Sequence, residues 1–193
     1  AGPDDGYAKD NAFANNLNHL NFGNFPGDDD DNPDNVRSFV RFTNVTIPQG
    51  KTINAATIEL KAMNNHYWYD YGYILYGDDS DNATAPTSYL SYNAKTRTTA
   101  STSGVFDAAV DQGGNTNQIR AYTQGQKVYF PCTQQLQEIV DRSGFSSGNN
   151  VQFLFDNQDQ ISGIQSDANL DLVPPDELDE NLGNPLESLD DKA

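Results

Sequence analysis

Arg37-Ser38-Phe39-Val40-Arg41-Phe42-Thr43-Asn44-Val45-Thr46-Ile47-Pro48-Gln49-Gly50 and, just after it, Thr57-Ile58-Glu59-Leu60-Lys61-Ala62 are the runs that decide the fold. In the first, Val40 and Phe42 fall on one side of an extended chain and Arg37, Phe39 and Arg41 on the other. Pro48-Gln49-Gly50 is a turn, because proline presets its own φ and glycine accepts conformations closed to other residues. In the second run Ile58, Leu60 and Ala62 alternate against Thr57, Glu59 and Lys61. That period of two is the repeat of a strand, and its apolar-polar alternation sets one face in a core and the other in water.

Working outward, the same signature recurs. Val128 and Phe130 alternate, as do Val151, Phe153 and Phe155, and Leu170, Leu172 and Val173 supply one further short run. Residues 95–110 read as a weaker, Thr-rich strand. Between Tyr67 and Tyr76, the residues Tyr67, Tyr69, Tyr71 and Tyr73 fall on one side, with Trp68, Ile74 and Tyr76 on the other. Asp4-Asp5-Gly6-Tyr7 reads as a turn, and Gly27 to Asn35 as a loop. One helix is expected at about 134–142, with Thr133 as N-cap and Leu136, Ile139 and Val140 as its apolar stripe. Gly144 is placed to end it in the left-handed conformation. The apolar set is aromatic-heavy, with ten Tyr and ten Phe, which suits sheet surfaces. The class is all-β, antiparallel, in one domain over residues 4–173; length alone demands no second core.

Beyond Pro174-Pro175 the alternation stops. Residues 174–193 carry seven acidic side chains and one Lys around Leu178, Leu182, Leu186 and Leu189. That composition predicts an irregular acidic C-terminal tail, flexible or partner-binding. The chain as a whole has 28 acidic and 11 basic side chains, a net charge of −17, which repels phosphate backbones and anionic bilayers. Neither nucleic acid nor membrane is therefore expected as a partner. No apolar run approaches the ~18 residues of a spanning helix and no signal peptide is evident. Cys132 is the only cysteine, so an internal disulfide is impossible.

The ordered series Asp4-Asp5-Gly6-Tyr7, Arg37 to Phe42, Val45 to Gly50, Thr52 to Leu60, Gly77 to Ala83, Lys95 to Ser101 and Leu136 to Asn149 resembles a widespread β-sandwich module. It is similar to the jelly rolls of the DNRLRE and carbohydrate-binding-module type, found in bacterial surface proteins and in structural proteins of tailed-phage virions. The resemblance implies a jelly-roll sandwich, a binding or structural role, and no catalytic residues. It departs from the family where Pro174-Pro175 leads into acidic sequence in place of a closing strand, and in its tyrosine-rich segment.

The function expected from this is that of a non-enzymatic structural protein of a virion surface, such as a phage capsid decoration protein. It would act through other virion or surface-assembly proteins, as a homo-oligomer within an assembly. The alternative is a carbohydrate-binding module at a bacterial cell surface or in the extracellular space, holding glycans with loop-bound calcium. Calcium takes six to eight oxygens, so Asp28, Asp29, Asp30 and Asp31, and Asp78, Asp79 and Asp81, are its candidate ligands. Tyr67, Tyr69, Tyr71 and Tyr73 are the candidate interface or ligand face, since tyrosine offers stiff apolar area with a polar tip. His19 and His66 are the only neutral-pH bases, and neither lies near a nucleophile motif.

Overall fold

The structure, a computed structural model, describes residues 4–9, 12–15, 20–23, 37–62, 71–106, 124–158 and 169–173. These form ten strands and two short helices: β1 (Asp5–Lys9), β2 (Ala12–Asn15), β3 (Leu20–Gly23), β4 (Arg37–Val45), β5 (Thr57–Ala62), β6 (Tyr71–Asp78), α1 (Tyr89–Asn93), β7 (Arg97–Phe106), β8 (Lys127–Pro131), α2 (Thr133–Asp141), β9 (Asn149–Gln158) and β10 (Asn169–Val173). Every pairing is antiparallel. One sheet has the order β2-β1-β4-β9-β6-β7 and the other β3-β10-β5-β8.

The alternation expected of β5 is present: Ile58, Leu60 and Ala62 are buried while Thr57 is exposed and Glu59 and Lys61 are half-buried. The inward residues meet Val40, Leu75, Phe153 and Phe155 from the larger sheet in one shared core. Phe130 of β8 joins the two layers, its ring 5.0 Å from Tyr73 and 5.0 Å from Phe155, both edge-on. Edge-to-face contact is the arrangement aromatic quadrupoles favour, so these rings hold the sheets in one lateral position.

The larger sheet departs from the expectation of one wet face. Phe39 and Leu154 point away from the shared core and are nonetheless fully buried, with Ala8 and Tyr92, in a second cluster. The cover is α1, a five-residue helix that the sequence reading lacked. Ser88 begins it with a capping box, accepting from the Ser91 amide at 3.1 Å while the Ser91 hydroxyl accepts from the Ser88 amide at 2.9 Å. Further cover comes from Phe13, stacked on Phe39 at 6.1 Å. The expected turn at Asp4–Tyr7 is instead the start of β1, between β2 and β4. Turn-forming residues yield here to sheet pairing and to Arg41, whose guanidinium donates to Asp4.

Two details of α2 also differ. Cys132 is the N-cap, and the Thr133 hydroxyl accepts from the Ala56 amide at 2.9 Å. The chain leaves the helix through an extended Arg142, and Gly144 is not left-handed. A Cβ on Gly144 would stand 2.0 Å from an Asp81 carboxylate oxygen, which is what requires glycine there.

The polar side chains of α2 reach both sheets' surroundings. Gln137 accepts from the Ile53 amide at 2.7 Å, on the approach to β5. Gln135, fully buried, donates to the Leu75 carbonyl at 3.1 Å and to the Thr102 hydroxyl at 2.8 Å. Strand β7 is irregular between its pairings at Arg97 and Ser101, and there Glu138 accepts from the Thr99 and Ala100 amides at 2.7 and 2.8 Å. Two consecutive amides turned to one side are the local consequence of a bulge, and a carboxylate satisfies both. Strand β10 lies between β3 and β5, with Leu172 opposite Ala62 and Val173 opposite Lys61. Pro174 and Pro175, next in the sequence, have no amide hydrogen to give a ladder. Residues 174–193 lie outside the described residues, as does the Gly27–Asn35 segment.

Candidate functional site

The acidic segment that ends β6 and turns away from it, Gly77-Asp78-Asp79-Ser80-Asp81-Asn82, is the richest concentration of chemistry among the described residues. Gly77 lets β6 pass tightly under α2: a Cβ there would come within 2.7 Å of Ile139 and 2.9 Å of Thr98. Asp78 follows, almost fully buried, and its carboxylate accepts from Lys95 Nζ at 2.9 Å. The same ammonium donates to the carbonyl and hydroxyl of Thr84. A carboxylate withdrawn from water needs a charged donor, and Lys95 supplies it.

Asp79 and Asp81 are met by one cation. Arg142, leaving the end of α2, donates through Nε to Asp81 at 2.7 Å and through Nη1 to Asp79. The bonds to Asp81 and then Asp79 raise the pKa of Arg142 above its already high value. Two further bonds complete the attachment: the Asp79 backbone amide donates to the Thr96 carbonyl at 2.7 Å, and the Asn149 side-chain amide donates to the Asp81 carbonyl at 2.8 Å. The three carboxylates proposed from sequence as calcium ligands thus each face a lysine or arginine. Among the described residues no group of three His, Cys, Asp or Glu is placed to hold a metal ion. Asp28, Asp29, Asp30 and Asp31 lie outside the described residues.

The tyrosine strand divides likewise. Tyr73 is a core residue, 9% exposed, on the side of β6 that faces Phe130 and Phe155. It therefore forms no surface ligand face; Leu75, two residues on, is fully buried beside it in the same core. Tyr71 opens β6 opposite Phe106. Tyr67 and Tyr69 lie outside the described residues, as do His19 and His66.

A second polar cluster was not anticipated from sequence. Beneath α1, Asp156 accepts from Arg97 through Nε at 2.7 Å and Nη2 at 3.1 Å. Tyr92, fully buried, has its hydroxyl within 3.1 Å of Asp156 and 3.2 Å of the Phe155 carbonyl. Arg97 also lies over the Tyr92 ring, 5.5 Å from its centroid. Burial, reinforced by the charge of Asp156, pushes the phenol pKa well up and keeps it a neutral hydrogen-bond donor. Burial opposes the charge on Arg97, but its bonds to Asp156 outweigh this and raise its pKa. The sequence signal was a lone Arg and a lone Asp in separate strands, with nothing local to link them.

Cys132 is buried, and desolvation pushes its thiol up to about 11, leaving it protonated and unreactive at neutral pH. Among the described residues, Phe42, Leu90 and Tyr129 are the large apolar side chains left exposed. No family model, curated protein or solved structure matches the chain.

Proposed function

We propose that the chain is a non-enzymatic structural protein of a virion surface, a jelly-roll sandwich of the DNRLRE and carbohydrate-binding-module-like type. It serves as a capsid decoration or capsid-associated module and works through protein–protein contacts with neighbouring copies and other assembly proteins. The observation that carries this reading is the use made of the polar side chains. Arg142 closes on Asp79 and Asp81, Lys95 on Asp78, Glu138 on the β7 bulge, and Arg97 with Tyr92 on Asp156. Groups joined in this way stiffen a module, whereas a ligand or reaction site keeps convergent polar groups open to what it binds. The net charge of −17 adds solubility and disfavours wrong partners of the same sign.

The test is whether the chain travels with a particle. Particles purified on a density gradient from the cells that produce the chain should contain it at fixed stoichiometry, and labelled antibody should mark it on the outer surface. A glycan array run with and without chelator examines the opposing case. Tight, calcium-dependent sugar binding by the isolated monomer, with the chain missing from any particle, would overturn the proposal in favour of an extracellular glycan-binding module.

A further inference from the structure

Gln152 lies on β9, between β4 and β6 in the larger sheet, and no part of it reaches the surface. Neither end of its amide, Nε2 or Oε1, meets a hydrogen-bond partner. Withdrawing an amide from water without replacing its bonds is costly, and here both ends are unmet. Gln135, also fully buried, spends Nε2 on two acceptors and falls short only at Oε1. Among the described residues Gln152 is therefore the buried side chain with most bonding left to satisfy.

The register fixes what stands beside it. Leu154, two residues along β9, belongs to the outer cluster with Phe39, so Gln152 points to the same outer face. Arg41 is its partner across β4. On the other side Gly77 of β6 lies opposite Phe153, which brings Asp78 level with Gln152. Among the described residues, Arg41 spends Nε and Nη2 on Asp4 and keeps Nη1 to spare. Asp78 gives Oδ2 to Lys95 and keeps Oδ1 to spare. A row thus crosses three strands, with a cationic N–H at one end, the amide in the middle and a carboxylate oxygen at the other end.

The spacing of that row suits water. Adjacent strands lie about 4.8 Å apart. A water that accepts one bond and donates another, each about 2.8 Å long and set at its tetrahedral angle, joins atoms about 4.6 Å apart. Groups so separated are too far apart for a direct bond and well placed for a bridge, and a buried water needs two to four such partners.

We propose that two buried waters complete the row Arg41–Gln152–Asp78. One accepts from Arg41 Nη1 and donates to Gln152 Oε1; the other accepts from Gln152 Nε2 and donates to Asp78 Oδ1. The two ends set this orientation, because a guanidinium only donates and a carboxylate only accepts. The bridge ties β4, β9 and β6 together beside the Phe39–Leu154 cluster, and its waters leave only when the outer face of the larger sheet opens locally. The proposal concerns the folded chain and stands apart from whether that chain belongs to a virion.

Water contacts of the Gln152 side-chain amide, measured by NMR on the isotope-labelled chain, test it directly. The Nε2 protons should show cross-peaks to water whose laboratory-frame and rotating-frame Overhauser effects are opposite in sign, the mark of a water held for longer than the molecule takes to tumble. Gln134, exposed on α2, is the control, and its contacts with passing water should be several-fold weaker. Gln152→Met keeps the length of the side chain and removes both polar ends. It should lower the urea midpoint, because Arg41 and Asp78 lose their bridge. An unchanged or raised midpoint would overturn the proposal, since the amide would then have been buried without bonds. So would Nε2 protons with no water contact, or with two effects of the same sign, which is proton exchange with solvent.

Discussion

Water meets the two sheets of this molecule differently. At the middle of β4 and β9 the six-stranded sheet is buried on both sides, Phe153 and Phe155 against the smaller sheet and Phe39 and Leu154 beneath α1. The four-stranded sheet buries Ile58 and Leu60 and turns Thr57, Glu59 and Tyr129 outward. Each carries ion pairs of similar length, Lys95–Asp78 at 2.9 Å in the first and Lys127–Glu59 at 2.8 Å in the second. Their side chains are 13% and 3% exposed in the first pair and 50% and 29% in the second. Geometry alone would rank the two pairs as equals; desolvation separates them.

The contrast breaks first at Asp78. Asp78→Ala strips Lys95 of its counter-charge and leaves a mostly buried ammonium, which should cost about 3–5 kcal/mol, as removal of one partner from a buried pair does. Urea denaturation reads the loss directly. A change below about 1 kcal/mol would mean that water reaches Lys95 and that the buried and exposed pairs are alike after all.

The next effect in size is at Glu138. Glu138→Ala leaves the Thr99 and Ala100 amides without their acceptor, an expected loss of about 1–3 kcal/mol for unmade hydrogen bonds. Glu138→Gln keeps one acceptor oxygen and should recover part of it. Hydrogen exchange gives the local reading: the amides of Thr99 and Ala100 should speed up while those of β9 stay protected. Uniform acceleration would show that α2 braces the whole sheet and not the bulge.

Arg142 should matter less, because it and Asp81 are about a third or more exposed. Arg142→Ala is expected to cost about 1 kcal/mol, discounted for solvent screening. Calcium titration makes this variant more telling. Calcium should leave the melting temperature of the parent chain unchanged, since Arg142 occupies both carboxylates. A rise in the parent itself would show that the acidic turn opens to a metal in spite of its arginine.

Much of the all-β architecture was legible because it is local. Strand β5 declares itself by period two, and α2 by the spacing of Leu136, Ile139 and Val140. The helix α1 escaped because five residues hold too few repeats for a period, although Ser88 and Ser91 carry its capping box. For β6 the period was evident, but tyrosine is compatible with core and surface alike, and only the fold shows Tyr73 facing Phe130. The acidic turn was legible as a cluster, but not the ion pairs its carboxylates make. Its cations, Lys95 and Arg142, lie 17 and 61 positions from Asp78 and Asp81, beyond any local pattern.

The smallest effect belongs to Glu59, and it sharpens the comparison from the other side. The bond and charge of Glu59 raise the pKa of Lys127, yet the ammonium stays in water whether or not its partner is present. A group whose pKa is raised on folding lends its stabilisation below its unfolded pKa and loses it as pH climbs through the folded one. Whatever this pair contributes is therefore present at neutral pH and fades only in the alkaline lysine range. Glu59→Gln should return Lys127 to ordinary titration, followed by NMR of its side-chain carbon, with no measurable shift of the urea midpoint. If instead the midpoint falls as far as it does for Asp78→Ala, the outer face of the four-stranded sheet is itself covered.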